Sequence, residues 1–130
     1  MGVHRYGGTH GDRAILPIWL IHARCATCTR RLIKVEAELD SGASISVFPS
    51  YLMDTISHEP TGQTVNIVSV FKEVEPAPVS YVPMIVEGVE TVLPVAFSKF
   101  VDMPLISVDD LTKAGFKVSF HTDFFEVYYA

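Results

Sequence analysis

Only two cysteines occur among 130 residues, so a structural zinc site, which takes four ligands, would have to draw the others from distant histidines or a second subunit. Basic residues are also scarce. Ten Lys and Arg stand against fifteen Asp and Glu, for a net charge of −5. A phosphate-binding face needs clustered Lys and Arg, so this balance argues against a nucleic-acid partner. The one basic cluster, Arg24 with Arg30 and Arg31, is short and reads as a solvated turn. No apolar run approaches the ~20 residues that span a bilayer, and Ile15 to Ile21 is the nearest attempt. Met1 to Arg13 does not read as a signal peptide, and Tyr6 stands where a myristoylation motif wants Ser or Thr. Helical periodicity is rare. What remains is a soluble intracellular protein, or a fragment cut from a longer polyprotein, with no membrane partner.

What is present is β-forming material. Hydrophobic residues make up 48%, with Val, Ile, Phe and Tyr prominent, and the length suits one core. The chain is organised around one stretch. Leu32 to Glu38 alternates like a strand with one buried face and leads into Leu39-Asp40-Ser41-Gly42-Ala43-Ser44. Apolar residues resume at Ile45-Ser46-Val47-Phe48. Gly42 can take backbone angles closed to other residues, which suits a sharp turn directly after the acid. An Asp held between two buried strands is desolvated, which raises its pKa and fits it for proton transfer.

Residues 1–14, with several glycines and no periodicity, read as a flexible leader before a single domain over 15–130. Residues 15–23 read as a strand and 24–29 as a turn into a second strand over 31–39. Cys25 and Cys28, with His22 upstream, have the spacing of half a zinc site or a redox pair. No second ligand pair and no following helix support either, so two thiols in a hairpin turn is the preferred reading, and Ser at both positions should leave folding intact. Pro49 to Asp54 reads as a helical turn, and residues 55–63 as loop with His58 solvated. Two strands, 64–71 and 79–86, flank Lys72 to Pro78. A further hairpin turns at Gly88. Leu105-Ile106-Ser107 then reads as a buried strand end and Val108 to Ala114 as a short helix, with Ser107 or Asp109 as cap and Gly115 just past its end. Phe116–Phe120 and Phe124–Tyr129 form a hairpin whose aromatic edges invite association.

Leu39-Asp40-Ser41-Gly42-Ala43 resembles the active-site signature of aspartic proteases, and the length points to the retropepsins of retroviruses and retroelements. A second stretch, Leu105 to Gly115, is similar to the apolar pair, glycine and short helix that lie beside the catalytic turn in that family. Ser107 stands where glycine is usual, so its side chain either crowds the turn or hydrogen-bonds to it. The resemblance implies a mostly-β, closed β-barrel-type domain with one short C-terminal helix, active as a C2 homodimer. Asp40 would be catalytic, Ser41, Gly42 and Ala43 would shape the active-site turn, and Leu105, Ile106 and Ser107 would support it. Val70, Phe71, Lys72, Glu73 and Val74 would belong to a substrate-covering flap, whose glycine-free tip departs from the family. It also implies a polyprotein-processing endopeptidase acting on an extended peptide, needing no cofactor and no metal, in a virion or retroelement particle. The alternatives are a retropepsin-like dimerisation module with weak or no catalysis and, more distantly, a zinc module on His22, Cys25 and Cys28.

Overall fold

The computed structural model describes residues 13–23 and 31–130, together with the backbone of His4–Gly7. Ten strands and one helix are described: β1 (His4–Gly7), β2 (Ile15–Ile21), β3 (Leu32–Asp40), β4 (Ser46–Pro49), β5 (Glu59–Val68), β6 (Val74–Val86), β7 (Val89–Ser98), β8 (Leu105–Ser107), α1 (Val108–Lys113), β9 (Phe116–Phe120) and β10 (Phe124–Tyr129). A 3-10 turn at Ser50–Asp54 follows β4, with Pro49 just before it.

Six strands close into a barrel in the order β2-β3-β8-β4-β7-β6, and Trp19 and Leu20 of β2 pair with Ile85 and Met84 of β6 to complete the ring. The alternation read from the sequence drives this closure. Leu16, Ile18 and Leu20 of β2 are fully buried, while the residues between them are half-buried. Ala37 and Leu39 of β3 face the same core. Each large apolar side chain so buried contributes about 1.5–3 kcal/mol. Phe48 and Phe97 meet edge to face at 6.3 Å, on β4 and β7, two strands paired in parallel. The β6–β7 hairpin turns on Glu87 and Gly88, both at positive φ (51° and 73°), as a two-residue turn between twisted strands requires.

β8 is threaded between β3 and β4. It runs parallel to β3, with Glu38 opposite Leu105, Leu39 opposite Ile106 and Asp40 opposite Ser107. It meets β4 antiparallel at Val47–Leu105. Helix α1 leaves β8 at once, capped by Ser107, whose side chain accepts from the Asp110 N–H. Gly115, at φ 101°, ends the helix where an added Cβ would come within 3.0 Å of the Tyr129 ring.

Two expectations are corrected by the sheets. His4–Gly7, read as part of a structureless leader, pairs antiparallel with β10 to give the three-stranded sheet β1-β10-β9. The flap hairpin also has different bounds. Its first strand begins at Glu59, inside the expected loop 55–63, and ends at Val68 rather than Phe71. The second begins at Val74 rather than Val79. Pro76 and Pro78 therefore lie in a strand and not at the tip. They are tolerated because β7 stops pairing at Val79, leaving this part of β6 with β5 as its one partner.

The tip itself is the turn Ser69 to Glu73. The Lys72 N–H donates to the Ser69 carbonyl (2.9 Å), and the Ser69 hydroxyl accepts from the N–H groups of Phe71 and Glu73. Lys72 sits at φ 63°, where the missing glycine would be at ease. Lys72→Gly should therefore stabilise the chain by about 0.5–1 kcal/mol, and Lys72→Val should destabilise it by a similar amount. Urea unfolding midpoints will measure both; an unchanged or lowered midpoint for Lys72→Gly would mean that the turn stores no strain.

Candidate active site

Asp40 is the last residue of β3, half-buried, and its carboxylate Oδ1 accepts the Gly42 N–H at 2.9 Å. This Asx-type turn reverses the chain directly after the acid. Gly42 does so without the left-handed angles expected of it. An added Cβ there would sit 3.5 Å from Asp40 Oδ1, an ordinary contact, so neither backbone angle nor space within the chain forces glycine at this position. Ser41, Gly42 and Ser44 are exposed, Ala43 is half-buried, and the turn presents itself to solvent.

Beneath the turn lies a buried polar cluster made by residues distant in sequence. The Asp110 carboxylate Oδ2 accepts from both the Ser46 N–H (2.9 Å) and the Ser46 hydroxyl (2.8 Å). Ser46 Oγ in turn accepts the Ser107 N–H at 3.0 Å. The Ser107 hydroxyl donates to the Ala43 carbonyl at 2.9 Å and accepts from the Asp110 N–H at 3.2 Å. Ser107 thus hydrogen-bonds the turn and does not crowd it. Ser46 and Ser107 are fully buried and Asp110 is 6% exposed, so each lost partner would leave a dry polar atom unsatisfied. The cluster pins the downstream side of the Asp40 turn, at Ala43 and Ser46, to β8 and α1. Sequence reasoning missed Ser46 and Asp110; the available signal was a hydroxyl in an otherwise apolar strand and an acid beside a leucine on a helix facing the core.

Upstream of the turn, the Glu38 N–H donates to Pro104 O and the Leu39 N–H to Ala14 O. Glu38 also pairs with exposed Arg13 at 2.9 Å. Downstream, Ile45 packs with Val65 and Ile67 of β5 over Ala77, Val79 and Ala96. This small apolar cluster, separate from the main core, seats the β5–β6 hairpin beside the Asp40 turn. Leu105 is half-buried and Ile106 fully buried behind Asp40. At the flap tip Val70 is 91% and Phe71 82% exposed, and Lys72, Glu73 and Val74 are exposed with them.

His58 is not the solvated loop residue expected. It is half-buried, with Nδ1 2.8 Å from Ser80 Oγ and Nε2 3.0 Å from the Met53 carbonyl. A carbonyl can only accept, so Nε2 carries a proton. Its ring lies 5.1 Å from Phe97. His22 pairs by its backbone with Ile56. Cys25 and Cys28 lie outside the described residues, and among those described no three His, Cys, Asp or Glu side chains gather as metal ligands do.

A closed six-stranded barrel with one short helix and a strand threaded beside an Asp-Ser-Gly turn is the retropepsin-like fold. Solved structures agree. A retropepsin-like aspartic protease from Rickettsia conorii superposes with a TM-score of 0.64 at 10% identity, over 98% of this chain and 90% of its own. The simian foamy virus (mac) protease gives 0.51 at 24% identity, over 75% of this chain and 91% of its own. A foamy viral protease-reverse transcriptase, solved with an RNA/DNA hybrid, gives 0.53 at 22% identity; the match spans 78% of this chain and 12% of that longer one. No protein-family model and no curated protein matches the chain.

Proposed function

We propose that this chain is half of an aspartic endopeptidase, completed by a second copy across a two-fold axis. The observation that carries the reading is Asp40 at the end of β3, bonded to the Gly42 N–H and clasped to β8 opposite Ser107, on a retropepsin-like barrel. Hydrolysis by carboxylates needs two, one ionised to take a proton from water and one protonated to polarise the scissile carbonyl. Asp40 and its copy on the axis share one proton and alternate in these roles. Water adds to the carbonyl carbon, the amide nitrogen takes a proton, and the C–N bond breaks. No cofactor enters this chemistry.

Ser41 faces the axis and is positioned to hydrogen-bond its counterpart, Gly42 leaves room for substrate, and Ala43 is held by Ser107. Leu105, Ile106 and Ser107 support the turn from behind. An extended peptide lies between the turn and the flap, where it covers the apolar residues Val70, Phe71 and Val74, with Lys72 and Glu73 alongside. Retropepsin-like relatives in viruses suggest a polyprotein substrate, this chain's own included, and a particle setting. The second reading, a dimerisation module without turnover, is favoured by the glycine-free, hydrogen-bonded flap tip.

The experiment is cleavage of a peptide library across a dilution series. Because the site exists only when two chains meet, specific activity should fall more than tenfold between concentrations above and below the dimer Kd, with sedimentation giving that Kd. Cleavage by a strict monomer would refute the shared-site mechanism, and a dimer that cuts no peptide would favour the module.

A further inference from the structure

Beyond the apolar contacts of Val65 and Ile67 in the cluster with Ile45, polar side chains tie the flap hairpin down at two places, and neither tie is made by the Asp40 turn. At its root, His58 immediately precedes β5 and joins Ser80 of β6 to the Met53 carbonyl of the 3-10 turn. Both ring nitrogens are engaged, Ser80 is 2% exposed, and buried Phe97 backs the ring. Just above, the β5–β6 ladder is broken between Pro60 and Thr64. Thr61 Oγ1 reaches across the break to donate to the Val79 carbonyl. The second tie lies close to the tip. Glu75, opposite Ile67, sends Oε1 to accept from the Ser98 hydroxyl (2.7 Å) and the Lys99 N–H (3.1 Å). The Ser98 hydroxyl oxygen also accepts the Phe100 N–H at 3.0 Å, which closes the turn after β7.

We propose that the flap is a lever with a fixed root at His58 and a releasable catch at Glu75, and that Glu75 is a positioning residue for the substrate cover. β5 is about 33 Å long at ~3.3 Å per residue, so a 10° rotation at its root moves the tip by about 6 Å. A root alone cannot hold the tip in register with a peptide. The catch can, since it grips β6 two residues from the tip. Its acceptor is a half-buried carboxylate and its donors are a buried hydroxyl and a backbone amide on the barrel, a charge-assisted pair stronger than a neutral one. The catch is releasable because each bond joins the flap to another element. Breaking both costs no ladder bond within the hairpin.

The proposal about flap position stands on the isolated chain; its consequence for turnover rests on the endopeptidase reading. The test separates them. Trypsin needs the residues around Lys72 in extended form. The tip and its first ladder pairs open more readily once the catch no longer holds β6 to the barrel, so the rate of cutting reports the catch without reference to the protein's own activity. Glu75→Ala should speed that cut at least tenfold, and Ser98→Ala by several-fold. Glu75→Gln, whose amide oxygen accepts the same two bonds, should return the rate to within threefold of the parent. A Glu75→Ala rate within twofold of the parent would overturn the proposal, as would a Glu75→Gln rate as fast as that of Glu75→Ala. If peptide cleavage is present, Glu75→Ala should raise KM about tenfold with kcat unchanged, because the catch contributes equally to bound ground state and transition state. An unchanged KM alongside faster tryptic cutting would remove the positioning role.

Discussion

On the endopeptidase reading, Asp40→Asn should abolish peptide cleavage, lowering kcat by about 10⁴-fold, because both copies of the proposed general acid–base group would be lost together. The substitution keeps the shape of the side chain and an oxygen for the Gly42 N–H, which Asp40 Oδ1 now accepts at 2.9 Å. Folding should therefore be unaffected, with a thermal midpoint within about 2 °C of the parent. The proposed dimer should persist or tighten, since two amides on the axis carry no charge where the carboxyl pair, sharing one proton, carries one. On the same reading, cleavage by the parent protein should show a bell-shaped pH profile. Activity falls on the acid side, where both carboxyls hold protons and none activates water, and on the alkaline side, where both are ionised and none polarises the carbonyl. The two limbs belong to the pair and not to one residue. Cleavage that survives in purified Asp40→Asn protein would make Asp40 an ordinary turn residue.

The largest effect on stability is expected at Asp110. Asp110→Ala strips the Ser46 N–H and the Ser46 hydroxyl of their shared acceptor in a place water does not reach. At about 1–3 kcal/mol for each buried orphan, the loss is on the order of 3–5 kcal/mol. For a chain of this size that lowers the melting temperature by roughly 10–15 °C. Asp110→Asn keeps one acceptor oxygen and should fall between. The effect reaches the Asp40 turn, because Ser107 holds Ala43 while bonding the same helix end. Peptide cleavage should thus drop even at temperatures where Asp110→Asn is fully folded. A melting point for Asp110→Ala within 2 °C of the parent would show that the cluster carries no weight.

The local rules of the sequence found the scaffold of this site but not its fastening. Alternation placed β2 and β3, and the pairing of Asp40 with Ser107 follows the two motifs that the sequence set apart. The cap at Ser107 and the stop at Gly115 were legible because capping depends on neighbouring residues alone. The flap bounds were not. Prolines 76 and 78 read as a loop tip, and only the absence of β7 beside them makes them acceptable strand residues. Asp110 has the same chemistry on paper as exposed Asp109 next to it; which of them turns inward is decided by the packing of α1 against β8. His58 was hidden for the same reason, since Ser80 and Met53 reach it from other elements.

Threading β8 between β3 and β4 also sets an order of events. The contacts that hold the Asp40 turn, Ser107 to Ala43 and Asp110 to Ser46, each close across 64 residues of chain. Contacts of such long sequence separation form late and slowly, because the loop entropy is lost before they repay it. A ribosome must release β8 and α1 before the aspartate is clasped at all. Every shorter nascent chain carries the Asp-Ser-Gly turn without its fastening. A chain still being made therefore carries Asp40 on a turn that is not yet fixed, a delay set by the topology of the barrel itself.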